Sequence, residues 1–324
     1  MRGKIVLLCP EKYREPMLEM TGETGLDLQW VDSKAGLPRR AAMCRDAVAV
    51  IAIPSAFPAE LARECPQLRL IQVVSAGTDM MDLRALGEMG IRVANNGGGN
   101  AASVAEHTIA LMISVYRKLH LQFRSVQEKK WAGELSDRWS GQAHELTGKT
   151  VGIVGAGRIG REVARRLHGW DCALVYSDVF PLPPEDEQRL NLTRVSFEEL
   201  LATSDVVTLH VPLTGNTRGM VGERELARMK PSAILINACR GAVVDESALV
   251  SALRGGALAG AGLDVLEQEP TPPENPLLAM ENVVVTPHMA SFSQESWEKS
   301  RRFAIENAAR VASGEEPLSV VRPE

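Results

Sequence analysis

The sequence predicts an α/β chain built from two parallel-sheet domains, and three observations carry that prediction. Its 324 residues, 45% of them hydrophobic, exceed what one core supports and supply apolar material for two. Short Val- and Ile-rich runs alternate with helical segments over the first hundred residues, as a parallel sheet wrapped by helices requires. The alternation breaks at "NNGGGN", residues 95–100, and a second series restarts at "GKTVGIVGAG", from residue 148.

The first strands are expected at "KIVLLCP", "AVAVIAIP", "LRLIQVV" and "IRVAN", with helices such as "PAELAREC" and "LRALGEMG" between them. Then comes "SVAEHTIALMISVYRKL", apolar around most of a helical circumference and therefore expected to be buried at a domain crossing. Ser103 and Glu106 have the spacing of a capping box at its start. In the second series, "ALVYSD", "DVVTLHVP", "AILINA", "LAGAGLDV" and "NVVVTP" read as strands. Ser196 and Glu199 form another capping box, and Asp245 opens a helix that glycine closes. A last helix, about 293–313, carries Trp297, Ala304, Ala308 and Val311 on one stripe and stops at Gly314. That stripe requires a surface to cover.

Composition narrows the function. The formal charge is −5, with 36 basic and 41 acidic residues and no basic cluster, so nucleic acid is not an expected partner. No uncharged stretch approaches the roughly 18 residues of a membrane helix; the nearest is interrupted by Glu106 and His107. The opening "MRGKIVLLCPEKYR" has too short an apolar run for a signal peptide and reads as a first strand. Five scattered cysteines (Cys9, Cys44, Cys65, Cys172 and Cys239), none in a C-x-x-C pair, suggest neither a disulfide framework nor a metal site. A reducing cytoplasm is the expected compartment.

"VGIVGAGRIG" joins a strand to a helix through Gly155, Gly157 and Gly160. Such glycines permit a tight turn and close approach of a pyrophosphate to backbone amides at a helix N-terminus. The motif alone is weak, but Asp178 follows the last glycine by 18 residues at the end of "ALVYSD". An acid there accepts the ribose hydroxyls of a dinucleotide and repels a 2'-phosphate, and no arginine immediately follows it, so NAD(H) is the expected cofactor.

Three polar residues stand just past strands, where open parallel sheets bind ligands: Arg240, Glu269 and His288. As a set they suit hydride transfer at a 2-oxo or 2-hydroxy acid. The planar fork of arginine holds a carboxylate. Histidine, with an intrinsic pKa near 6.5, exchanges the hydroxyl proton, and a neighbouring carboxylate orients it. Each also has a bland alternative: a surface ion pair, a turn cap before Pro270, and a loop histidine. The remaining histidines, His107, His120, His144, His168 and His210, carry less, His210 being expected to wall the cofactor pocket. Cys239 is expected to be packing.

The ordered motifs "SAGTDMMD", "NAASVAEHTIALM", "ELTGKTVGIVGAGRIG", "LHVPLT", "INACRGAVVDESAL", "GLDVLEQEP" and "TPHMAS" resemble those of the D-isomer-specific 2-hydroxyacid dehydrogenases over nearly the whole chain. The resemblance implies a flavodoxin-like catalytic domain of residues 1–98 plus 291–324, with a Rossmann NAD-binding domain of residues 99–290 inserted. It implies Arg240, Glu269 and His288 as the catalytic set, and the backbone at Ser75, Ala76 and Gly77, with Arg240 and His288, as the substrate holders. The cofactor contacts it implies are Thr78, Gly155, Gly157, Arg158, Ile159, Gly160, Asp178, Val211, Pro212, Ala238, Cys239, Arg240, Asp264, His288 and Ser291. Asp264 would accept from the nicotinamide carboxamide, and its bland reading is a strand-end turn cap. Members usually form homodimers through the cofactor domain and an arm, here 103–148, where Trp131 and Trp139 are candidate packing residues.

Departures from the family narrow the substrate to a small 2-oxo acid, glyoxylate or hydroxypyruvate. Phosphoglycerate dehydrogenases usually carry arginine immediately before "AGT" and in the loop after the preceding strand, where this chain has Ser75 and "PSAFP". Arg301 or Arg302 would have to compensate. Formate dehydrogenases have glutamine in place of Glu269. A phosphoglycerate dehydrogenase-type activity, an unusual donor such as phosphite, and an NADH-sensing corepressor-like binding protein stay open as alternatives.

Overall fold

The computed structural model describes residues 3–22, 26–131 and 141–322. They form two compact units, one of Met1–Asn100 with Phe292–Glu324 and one of Ala101–Ser291. The first holds a six-stranded sheet of β1 (Lys4–Leu8), β2 (Leu28–Val31), β3 (Ala47–Ala52), β4 (Leu70–Val73), β5 (Arg92–Ala94) and β13 (Val320–Val321). Their order is β13-β5-β4-β3-β1-β2, all parallel except β13, which runs antiparallel to β5 at the edge. Without that edge strand the order is the flavodoxin-like 2-1-3-4-5, reversing between β1 and β3.

The second sheet is wholly parallel, with strands β6 (Thr150–Val154), β7 (Ala173–Ser177), β8 (Leu192–Arg194), β9 (Val206–Leu209), β10 (Ile234–Asn237), β11 (Gly260–Leu263) and β12 (Val283–Val285). The order β12-β11-β10-β9-β6-β7-β8 is doubly wound and reverses between β6 and β9. The central runs of both sheets are buried on both faces, as near-continuous Val, Ile, Leu and Ala sequence demands. The expected strands are all present. The short β2, β8 and β13 are additional.

The helix Ala101–Arg117 belongs to the second unit, where it packs on β10, β11, β12 and the helix Arg158–Leu167. Ser103 is not at its N-cap, where the expected capping box would need it. The helix begins two residues before Ser103, and the Glu106 carboxylate instead accepts from Arg166 at 3.0 Å. An exposed acid is drawn to a guanidinium on the neighbouring helix rather than to its own first turn. Ser196 accepts from the Glu199 amide and Asp245 from that of Ala248, so both later helices start where the sequence places them. The final helix, Gln294–Ala312, lays Ala304, Ala308 and Val311 against β1, β3 and β4. Trp297 stacks on Tyr13 at its half-buried start.

Buried amides tie the two chain segments of the first unit together. Asn307, 1% exposed, donates from Nδ2 to Gln72 Oε1 at 2.7 Å and accepts the Leu318 amide. Gln72 in turn donates to the Val73 and Asn95 carbonyls. The ends of β4 and β5 are therefore fixed from below, where the loops after them begin. No helix among the described residues is long and apolar enough to cross a membrane.

Candidate active site

The three glycines after β6 have distinct physical duties. Gly155 has φ +93°, and a Cβ there would lie 2.6 Å from the His210 carbonyl oxygen, so only glycine allows this turn to sit against the end of β9. A Cβ on Gly160 would collide with the Gly155 carbonyl, which lets the helix Arg158–Leu167 seat directly on the strand. Gly157, at the helix N-cap, faces open space. Tight turn, close approach and helix seating are the three roles a pyrophosphate loop requires. Asp178 closes the loop: its Oδ2 accepts the Ala156 amide at 2.7 Å and its Oδ1 that of Phe180. Lone pairs remain on a carboxylate held beside the glycines. Arg194 also donates to the Asp178 carbonyl; a guanidinium arriving from β8 was not visible in the sequence. These residues fit an NAD pyrophosphate and ribose.

Arg158 is exposed, Ile159 half-buried, and Val211 and Pro212 follow β9 on the other side of the topological reversal. Ile159 packs on a small apolar cluster of Val104, Ala238 and Ala290, which brings two of the cofactor candidates, Ile159 and Ala238, together. Ser291 follows at half exposure. Burial pushes the Cys239 thiol up to about 11, and its Sγ donates to Asn237 Oδ1, consistent with packing.

His288 and Glu269 meet. The imidazole Nδ1 lies 2.6 Å from Glu269 Oε2, while Oε1 accepts the Leu266 amide at 3.1 Å, so the carboxylate is anchored on one oxygen and orients the ring with the other. His288 has φ +53°, in the left-handed region, and is pinned there by its amide, which donates to the Asp264 carbonyl at 2.7 Å. With Nδ1 engaged, Nε2 is the ring atom left to face a substrate. Arg240 is half-buried, and its guanidinium donates to the Cys239 carbonyl at 2.6 Å. Asn237 takes up the Arg240 carbonyl. A Cβ on the next residue, Gly241, would collide with the Leu266 carbonyl, so the Arg240 loop rests on the segment that anchors Glu269.

Asp264 is 1% exposed, and its Oδ1 accepts Thr286 Oγ1 at 2.6 Å and the Met289 amide at 2.9 Å. Its Oδ2 accepts the Ala290 amide. The strand-end acid thus caps the turn that presents His288, and Oδ2 retains a lone pair for a carboxamide. His107 adds to this knot, with Nε2 2.9 Å from Thr286 Oγ1 and 3.4 Å from Asp264 Oδ1. Little in the sequence singles out His107, since its hydrogen-bond partner Thr286 lies 179 residues away in the chain. His210 bonds Thr208 through Nε2, and burial pushes its pKa down to about 3, so it is a neutral wall.

In the first unit, the loop after β4 directs its carbonyls inward. Ser75 O accepts the Asn96 amide, Ala76 O accepts Asn95 Nδ2, and Gly77 O accepts Ser75 Oγ. Among the described residues, the amides of Ser75, Ala76 and Gly77 have no backbone or side-chain acceptor. Consecutive amides so arranged suit a carboxylate. Thr78 is buried, and its carbonyl accepts the Met81 amide. Trp131 is 83% exposed, and Trp139 lies outside the described residues.

The model of the NAD-binding domain of D-isomer specific 2-hydroxyacid dehydrogenases matches residues 109–290. A glyoxylate reductase of Korarchaeum cryptofilum is 40% identical over 307 residues, 92% of this chain and 90% of that protein. A D-3-phosphoglycerate dehydrogenase of Archaeoglobus fulgidus is 37% identical over 95% of this chain, which spans only 57% of that protein's length. The crystal structure of apo D-mandelate dehydrogenase from Rhodotorula graminis superposes with a TM-score of 0.88 at 28% identity, covering 100% of this chain and 98% of that one.

Proposed function

This chain belongs to the D-isomer specific 2-hydroxyacid dehydrogenase family and is an NAD-dependent oxidoreductase, and we propose that it reduces small 2-oxo acids, glyoxylate and hydroxypyruvate, to their 2-hydroxy acids. The observation that carries the chemistry is the 2.6 Å contact of His288 Nδ1 with Glu269. Bound NADH supplies the hydride. His288, oriented through Nδ1, donates its Nε2 proton to the carbonyl oxygen as negative charge develops there. Arg240 takes the substrate carboxylate with its fork; within the first unit, the amides of Ser75, Ala76 and Gly77 are likewise suited to a carboxylate. Asp178 takes the ribose hydroxyls, which favours NAD over the phosphorylated cofactor.

Substrate size is read from the loop after β3 and the residue preceding "AGT", which carry Ser55 and Ser75 rather than arginines. A phosphoryl group would find no cation at either place. The similarity to the glyoxylate reductase supports the same reading. We also place a homodimer contact on the exposed Phe123, Val126 and Trp131 of the arm and the protein in the cytoplasm. The test is a panel of glyoxylate, hydroxypyruvate, 3-phosphohydroxypyruvate, pyruvate and phenylglyoxylate, followed by NADH absorbance. Turnover is expected with the first two. Failure of folded, NADH-binding protein to reduce them refutes the reading. Turnover of the 3-phosphorylated acid above both would reassign the substrate.

A further inference from the structure

We propose that Ser55 is a specificity-determining residue that accepts a hydrogen bond from the 3-hydroxyl of hydroxypyruvate. This rests on the substrate reading above but makes a separate claim. In the first unit the sheet order reverses between β1 and β3, so the loop after β3, which carries Ser55, lies at the position where doubly wound sheets bind ligands. The adjacent strand, β4, ends in the loop whose amides suit a carboxylate.

The direction of the protons follows from the contacts. Ser75 Oγ donates to the Gly77 carbonyl at 2.8 Å, and among the described residues that carbonyl has no other donor. A serine has one hydroxyl proton, so Ser75 has none left for Ser55. Ser55 and Ser75 hydroxyls are nevertheless in hydrogen-bond contact. Ser55 must therefore be the donor of that pair, completing a chain from Ser55 through Ser75 to the Gly77 carbonyl. What Ser55 then presents is lone pairs only. A ligand group meeting them has to be a donor, such as a hydroxyl. An ionised phosphoryl oxygen cannot donate, and turning the Ser55 proton to satisfy it would cost the hydrogen bond that Ser55 gives to Ser75. The same relay therefore selects for a 3-hydroxyl and against a 3-phosphate.

Glyoxylate has no third carbon, so it is an internal control. The experiment compares kcat/KM for hydroxypyruvate and glyoxylate in wild type and Ser55→Ala. The ratio of hydroxypyruvate to glyoxylate is expected to fall roughly three- to tenfold, the effect of one hydrogen bond to a neutral partner. Ser75→Ala, which frees the Gly77 carbonyl, should instead lower both substrates without a comparable change in their ratio. An unchanged or increased ratio in Ser55→Ala overturns the proposal. If the wild type reduces neither acid, the functional reading fails and the binding arm decides this one: titration of D-glycerate and glycolate into the NAD-loaded protein. A wild-type preference for D-glycerate that Ser55→Ala abolishes supports the contact. Equal loss of both ligands, or no loss, refutes it.

Discussion

Replacing His288 with Asn separates chemistry from structure more cleanly than any other single change. Asparagine tolerates the left-handed φ of +53° that this position adopts, so the backbone is not asked to move. The imidazole meets the Glu269 side chain, and the two side chains are 46% and 37% exposed. A pair that wet contributes no more than about 1 kcal/mol to stability. Loss of a general acid, by contrast, costs about 10²- to 10⁴-fold in rate, or roughly 3–5 kcal/mol of barrier. The expected outcome is a fall of kcat by at least two decades, an NADH dissociation constant within about threefold of wild type, and a urea midpoint that barely moves. Glu269→Gln extends the test. Its amide puts an NH2, which cannot accept, at one of the two positions from which Oε1 meets the Leu266 amide and Oε2 meets His288 Nδ1, so kcat should fall between wild type and His288→Asn. NADH affinity that declines in step with kcat in His288→Asn would assign the histidine to scaffolding and refute the reasoning.

Asp178→Ala should raise the ratio of kcat/KM with NADPH to that with NADH, since the acid that would repel a 2'-phosphate is gone; an unchanged ratio rejects the ribose assignment. Gly241→Ala forces a Cβ into the Leu266 carbonyl and should cost about 1–3 kcal/mol of stability, together with activity, read by thermal melting and NADH oxidation. Wild-type thermal stability would count against that close approach. For His210, burial lowers the folded-state pKa from 6.5 to about 3. The unfolded chain therefore binds its proton first as pH falls, and stability present above about 6.5 drains away toward 3. Urea midpoints between pH 7.5 and 4.5 should fall less steeply in His210→Gln, and equal slopes would refute it.

What the sequence made legible was whatever depends on neighbours in the chain. Apolar runs marked the central strands, because a buried parallel strand has no polar face to hide. The glycine loop and Asp178 were readable because a strand, a turn and a helix lie within one short stretch. β2, with Gln29 and Trp30 half-buried, lacks the continuous apolar signature, and β8 and β13, at three and two residues, are too short to carry one. The misreading of Glu106 has the same origin: Ser-x-x-Glu spacing is local, but the Arg166 that claims the carboxylate is 60 residues away. Likewise, His288 and Glu269 were separately visible, whereas the Asp264, Thr286 and His107 knot that holds the histidine turn exists only after β11, β12 and the helix Ala101–Arg117 have come together.

The amide ties among Gln72, Asn95, Asn307, Leu318 and Ser319 also set an order of events during synthesis. The second unit is one uninterrupted stretch and can close as soon as it leaves the ribosome. The first is begun early and finished late: β1, β3 and β4 emerge with one apolar face bare until the helix Gln294–Ala312 arrives to cover it. Through that interval Gln72 Oε1 lacks the donor that Asn307 later supplies. The half of the molecule translated first is the half completed last, and the waiting sheet is the surface a nascent-chain chaperone would be expected to shield.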